Sequence, residues 1–213
     1  MKSSYENKVN WLFNQFPAFQ KVGEVAYKPT LDNTKKLIQH LQVPLEEMRF
    51  VHVAGTNGKG TTCAIIASAL KEAGLKVGLF TSPHIKDFRE RIRVNGEMIS
   101  REKVLTFITH FQSTNFDFSP SFFEMTWAMA LKHFSQEKCD IVVVETGLGG
   151  RLDATNVIQP ELSVITNIEL DHVSILGDTR EKIAKEKAVI IKQNVPVIVG
   201  ESDEEVEAVF VEA

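Results

Sequence analysis

From Ser4 to Phe16 apolar residues return at helical spacing, with Val9, Leu12, Phe13 and Phe16 on one side. This predicts an amphipathic helix. A second predicted helix runs from Thr30 to Leu41, with Leu31, Leu37, Ile38 and Leu41 as its apolar set. The pattern then changes. "FVHVA" predicts a buried strand, Thr61 to Ala73 a helix closed by Gly74, and "KVGLF" another strand. Asn95-Gly96, between "RIRV" and "EMI", predicts a two-residue hairpin, because both turn positions need positive φ. Arg101 to Phe111 and Phe122 to Phe134 read as helices around the loop "STNFDFSPS". "DIVVVETG" and "LSVITNI" are continuous apolar runs, as expected of strands covered by helices on both faces. A helix from Thr179 to Lys192 and a short strand "VPVIVG" follow. The alternation predicts an α/β domain with a mainly parallel sheet. A last helix begins near Asp203 and the chain ends inside it, so the expectation is a fragment, with a short natural tail as the alternative.

The 213 residues suffice for one sizeable α/β domain or two small ones. With 43% hydrophobic and 24% charged residues, a core needs no metal or disulfide staple. The net charge of −4 is spread along the chain, without the basic block of a general nucleic-acid surface. Any anion must therefore be held by a local site. Cys63 and Cys139 fall in elements the pattern buries, and read as small core residues of a reducing compartment. The N-terminus lacks a signal-peptide core, and no apolar run approaches the roughly 20 residues of a membrane span. The expectation is a cytoplasmic protein with no membrane or nucleic-acid partner.

The candidate chemistry begins where the first strand meets its helix, in "FVHVAGTNGKGTTCAIIASAL". A strand that feeds a helix through glycines points several backbone N–H groups at one place, and the helix terminus adds about half a positive charge. Lys59 can reach terminal phosphates and a hydroxyl can meet Mg²⁺. The usual P-loop pattern wants glycine where this chain has Val53, and Ser or Thr directly after lysine, where it has Gly60 and then Thr61. The loop is a variant, Gly55-x-x-Gly58-Lys59-Gly60-Thr61. Glu145 ends a buried strand ahead of a glycine loop, where doubly wound sheets place ligands. By metal preference Asp171 is a better Mg²⁺ ligand than His172. By pattern alone Ser82 is a turn residue, Lys187 a solvated lysine and Phe122-Phe123 core packing. Asp153 reads equally as a cap or Asx-turn and as a pocket acceptor.

The variant loop resembles that of the Mur ligase superfamily. The glycine after lysine resembles its folylpolyglutamate and dihydrofolate synthase branch. Five further stretches match in order: "VGLFTSPHI..FRERI", "FFEMTWAMA", "VVETGLGGRLDATN", "LSVITNIELDH" and "EKIAKEKAVIIK".

The resemblance implies a P-loop NTPase-like Mur ligase central fold, with residues 1–213 as one ATP-binding domain. A second, C-terminal glutamate-ligase domain would lie outside this chain. The implied reaction is ATP-dependent addition of L-glutamate to folate, with dihydropteroate as a further acceptor, through an acyl phosphate. It implies ATP held by Gly55, Thr56, Asn57, Gly58, Lys59, Gly60 and Thr61. It implies Mg²⁺ on Ser82, Glu145, His172 and a carbamylated Lys187, with Lys59, Glu145, His172 and Lys187 as the catalytic set. It places the acceptor against Ser121, Phe122, Phe123, Glu124, Leu152, Asp153 and Ala154, with the segment Tyr27–Asn33 nearby. The full-length enzyme would be a monomer, and this chain alone would bind nucleotide weakly without ligating. The chain departs from the family at Thr30 and Val189, where glycine is usual, and at Ser121, where threonine is common. A non-catalytic nucleotide- or pterin-binding module is the rival reading. The Gly60 insertion and "TSPHI..FRERI" speak against a cell-wall ligase, and no Asn-Lys-x-Asp guanine motif supports a switch protein.

Overall fold

The computed structural model describes residues 4–16 and 30–213, and among these seven strands form one sheet. They are β1 (Phe50–Ala54), β2 (Val77–Phe80), β3 (Ile92–Val94), β4 (Glu97–Met98), β5 (Ile141–Glu145), β6 (Leu162–Ile165) and β7 (Val197–Val199). Their order is β4-β3-β2-β5-β1-β6-β7. From β2 through β5, β1 and β6 to β7 all pairings are parallel, and β3 runs antiparallel to both its neighbours, β2 and β4. The β3–β4 pair is a hairpin. Its turn has Asn95 at φ 50° and Gly96 at φ 87°, the twist a right-handed hairpin requires.

The helices are α1 (Ser4–Gln15), α2 (Asp32–His40), α3 (Lys59–Glu72), α4 (Arg101–Ser113), α5 (Phe122–Gln136), α6 (Val173–Leu176), α7 (Arg180–Ala188) and α8 (Glu204–Glu212). Side chains alternate along β1. Val51 and Val53 pack with Cys63 and Ala67 of α3 on one face. Phe50 joins Phe80 and Trp127, on α5, on the other. Ala54 joins Ile183 and Ala184 of α7. Helices thus cover both faces of the parallel strands, as the unbroken apolar runs require. Among the described residues no helix is long and apolar enough to cross a membrane.

Most elements stand where the pattern puts them, with physical reasons for the shifts. Helix α3 starts at Lys59, two residues earlier than predicted, because Gly58 (φ 77°) makes the cap in a left-handed conformation. It ends as expected. Gly74 (φ 90°) lets Leu75 N–H reach Leu70 O and its own N–H reach Lys71 O, a Schellman closure. Helix α7 stops at Ala188 rather than Lys192. Its continuation tightens into the bonds Ile190 N–H to Lys187 O and Ile191 N–H to Ala188 O, which tuck Ile190 into the core. The short α6 has no periodic signal and is not predicted by the pattern. Of the predicted "RIRV" strand, Arg91 belongs instead to a 3₁₀ turn, Phe88–Arg91, capped reciprocally by Asp87 and Glu90. Cys63 is buried and Cys139 only half-buried, and both are free thiols. Tyr27 to Pro29 of the expected acceptor-binding segment lie outside the described residues.

Candidate active site

At the end of β1 the chain turns through Gly55 (φ 144°) into α3. A Cβ on Gly55 would lie 1.8 Å from Thr166 Oγ1. That contact belongs to a clasp formed by residues 166–169, just after β6. Thr166 Oγ1 donates to Asn57 O at 2.7 Å, and Asn167 accepts Thr56 N–H on its carbonyl and Asn57 N–H on its side chain. Thr56 Oγ1 bridges Glu169, donating to its O and accepting from its N–H. Thr56 and Asn57 therefore shape the loop, with their own amides committed to Asn167. The amides left without intrahelical partners belong to the first turn of α3, around Gly58, Lys59, Gly60 and Thr61, and no side chain caps them. This is an anion site by construction. Lys59 Nζ folds back over it and donates to Gly55 O and Thr56 O, each at 3.0 Å.

Glu145 ends β5, buried, beside this turn. A Cβ on Gly60 would sit 3.4 Å from Glu145 Oε2 and 3.6 Å from Oε1. The glycine after the lysine thus keeps the space beside the carboxylate open. Ser82 N–H donates to Glu145 Oε2 at 2.8 Å. Burial raises the Glu145 pKa, against the Ser82 bond and the charges of Lys59 and Arg91. A carboxylate so placed favours a cation. Arg91 did not stand out in the sequence, where it is one charge in "RERIR". It is only 2% exposed, its Nε donates to His84 Nδ1 at 2.8 Å, and its guanidinium lies 5.3 Å from the Phe122 ring centroid.

Lys187 corrects the reading by pattern. It is 2% exposed, not solvated, and its Nζ donates to Gly55 O at 2.9 Å. Burial, then the charge of Lys59, pulls its pKa down to about 8. Gly150 explains how α7 comes so close. A Cβ there would lie 2.7 Å from Glu186 O and 2.9 Å from Lys187 O. His172 sits on the turn before α6 at φ 46°, exposed, with Nε2 3.5 Å from Asp171 Oδ1. Among the described residues no three His, Cys, Asp or Glu side chains converge as a metal cage would require. The structure therefore joins Ser82 to Glu145, and Lys187 to the glycine loop after β1, without gathering His172 into such a group.

The expected acceptor residues divide in the same way. Ser121 caps α5: its Oγ accepts Glu124 N–H, and Glu124 Oε2 accepts Ser121 N–H at 2.6 Å. This capping box occupies both side chains. Phe122 is buried and stacks on Phe13, centroids 4.1 Å apart. Phe123 is half-buried and lies over Gly147, where a Cβ would meet its ring at 2.6 Å. Phe123 is thus the ring with a free surface. Asp153 resolves toward the turn reading. Its Oδ2 accepts Gly147 and Leu148 N–H, both at 2.8 Å, and its Oδ1 accepts Thr155 N–H and the Thr155 hydroxyl. Burial raises its pKa against those bonds. Leu152 and Ala154 flank it, half-buried and buried. Asn33 Nδ2 donates to Ser119 O, bringing the residues after Thr30 to the start of α5.

A phosphate-type loop on a central parallel strand, a buried carboxylate on its neighbour and a lysine from a third element define a nucleotide-dependent enzyme class. Residues 53–212 match the Mur ligase middle domain, and the chain belongs to that family. It is 44% identical to the dihydrofolate synthase/folylpolyglutamate synthase of Bacillus subtilis over 206 residues, 93% of this chain and 46% of that protein. Escherichia coli FolC, solved in complex with DHPP and ADP, superposes with a TM-score of 0.87 at 36% identity, over 99% of this chain and 50% of that one. An FPGS–AMPPCP–folate complex gives 0.86 at 37% identity, over 99% and 51%. The chain spans about half the length of these relatives.

Proposed function

We propose that this chain is the ATP-binding domain of a folylpolyglutamate synthase that also serves as a dihydrofolate synthase. It would hold ATP and a folate or dihydropteroate carboxylate, while the portion found only in the longer relatives completes the glutamate site. The carboxylate attacks the γ-phosphorus to give an acyl phosphate, and the amine of L-glutamate then displaces phosphate.

One observation carries this reading: unpaired amides of α3, the Lys59 ammonium and the Glu145 carboxylate meet at one turn. The amides and Lys59 are suited to the negative charge that builds on the transferring phosphoryl oxygens. To reach it, Lys59 exchanges the carbonyls of Gly55 and Thr56 for phosphate. The residues present fit Mg²⁺. Glu145 offers an oxygen, Ser82 stands against it, and Gly60 leaves the room a side chain would fill. Bound there, Mg²⁺ would neutralise phosphate charge. Lys187, with its lowered pKa, is the lysine suited to taking up CO₂, because the neutral amine is the reacting form. The complexes of the relatives with ADP, AMPPCP, DHPP and folate support the nucleotide and the folate-type acceptor of this reading.

The test is calorimetric titration of the chain with AMPPCP and Mg²⁺, followed by assays of glutamate addition to folate and to dihydropteroate. Nucleotide binding that Lys59→Ala removes is expected. Absence of nucleotide binding by the wild type overturns the reading. Ligation by the 213-residue chain alone overturns the need for a second domain.

A further inference from the structure

Arg91 is a buried cation with most of its donors unused. A guanidinium carries five N–H groups. Among the described residues only the Nε hydrogen is engaged, by the uncharged acceptor His84 Nδ1 at 2.8 Å. Among the described residues the two terminal nitrogens make no hydrogen bond, and no carboxylate oxygen lies within ion-pair distance. Nearby Arg89, by contrast, is forked onto Asp87 through Nε and Nη2. Burial without a paired anion is unfavourable to a charge. Accordingly the Arg91 pKa falls to about 10 through desolvation, opposed only by the charge of Glu145. Burial and the Arg91 charge also lower the His84 pKa, which keeps that ring a neutral acceptor.

The surroundings say which anion fits. Thr81 N–H is bonded to Arg91 O, and the next residue, Ser82, bonds Glu145. These bonds hold the Arg91 backbone one residue from the segment that bonds Glu145, and the Glu145 charge reaches the guanidinium. On its other side the guanidinium lies over Phe122, which begins α5 and stacks on Phe13. His84 and Phe88 continue the aromatic wall, 6.2 Å apart. A planar fork between aromatic rings matches a planar carboxylate on an aromatic ring. The tetrahedral phosphates have their own site at α3.

We propose that Arg91 binds the carboxylate of an aromatic acid acceptor, through its two free terminal nitrogens, and holds it next to Glu145. This rests on the ligase reading above and adds a residue to it. The same fork would keep hold of the acid's oxygens once one of them carries phosphate.

The experiment compares pteroic acid with its neutral carboxamide, titrated calorimetrically into the chain in saturating AMPPCP and Mg²⁺. The wild type is expected to bind the acid at least tenfold more tightly. Arg91→Met is expected to bind the acid no better than the carboxamide, with AMPPCP affinity unchanged within twofold. Arg91→Lys, which keeps the charge but loses the fork, should fall between. Wild-type discrimination below threefold overturns the proposal, and this arm decides even where a variant fails to fold. Full discrimination retained by Arg91→Met also overturns it. So does a parallel loss of AMPPCP affinity, which would assign the cation to the nucleotide. In each of these outcomes the ligase reading stands. Wild-type protein that binds AMPPCP but neither pteroate compound removes the pterin assignment and this proposal together.

Discussion

Lys59 and Lys187 donate to the same atom, the carbonyl oxygen of Gly55, from 3.0 and 2.9 Å. The two come from different helices, α3 and α7, and share one acceptor. After burial, the Lys59 charge is the next largest influence holding the Lys187 pKa near 8. Lys59→Ala should therefore raise the Lys187 pKa, read as slower amine labelling of Lys187 at pH 8. Nucleotide affinity should fall at least tenfold while the thermal melt moves by only a few degrees. Unchanged labelling would show that the shared carbonyl does not couple the two.

Gly60→Ala tests the open space beside Glu145. The position has ordinary helical φ, so the fold should tolerate a methyl group. That methyl would lie 3.4 Å from Oε2, within the room for a hydrated cation. The expected outcome is a drop of about tenfold in Mg²⁺-dependent AMPPCP affinity, equivalent to about 1.4 kcal/mol. Metal-free binding should change little, and equal loss with and without Mg²⁺ would place the effect elsewhere.

Gly150→Ala should be far more damaging. The added Cβ meets two backbone oxygens, Glu186 O at 2.7 Å and Lys187 O at 2.9 Å, and backbone cannot rotate away. A loss of about 1–3 kcal/mol in urea unfolding is expected, the usual scale of overpacking. Lys187 should become more accessible to labelling reagents as α7 is pushed outward. Wild-type stability in this variant would contradict the packing of α7 against the glycine loop.

His52 sets an acid limit. It is fully buried on β1, and because Thr155 gives its hydroxyl hydrogen to Asp153, His52 must donate from Nε2 to Thr155 Oγ1. Burial, helped by Lys192, lowers its pKa to about 3, below the usual 6.5. The neutral ring's contribution is complete above pH 6.5 and is lost as pH falls from there toward 3. The full span corresponds to about 5 kcal/mol. Unfolding measured at pH 7, 5.5 and 4.5 should show a steeper loss for wild type than for His52→Leu. Parallel profiles would remove His52 as the source.

The sequence carried the frame of this molecule and less of its site. Asn95-Gly96, Gly74 and the apolar runs of β1 and β5 act locally, through φ preference and side-chain alternation, so single stretches disclose them. Lys187 and Arg91 could not be recognised in that way. A lysine in "AKEKAVIIK" has the same letter whether solvated or buried, and the carbonyl that accepts its hydrogen bond is that of Gly55, 132 positions away. Arg91 lies in a charged run, and its lack of an ion-paired carboxylate among the described residues emerges only in three dimensions. Asp153 shows the middle case. Its turn chemistry was readable, but the use of both oxygens by Gly147, Leu148 and Thr155 depends on how the loop closes.

The clasp between Thr56-Asn57 and residues 166–169 has a mechanical consequence. Two turns about 110 positions apart in the chain are stitched into one stiff plate, with β1 and β6 fixed in register beneath it. Little ordering would be left for an anion bound at this turn to bring about, so its entropic penalty would be small. A displacement of the 166–169 turn would be passed to the start of α3 through these bonds, without any strand sliding.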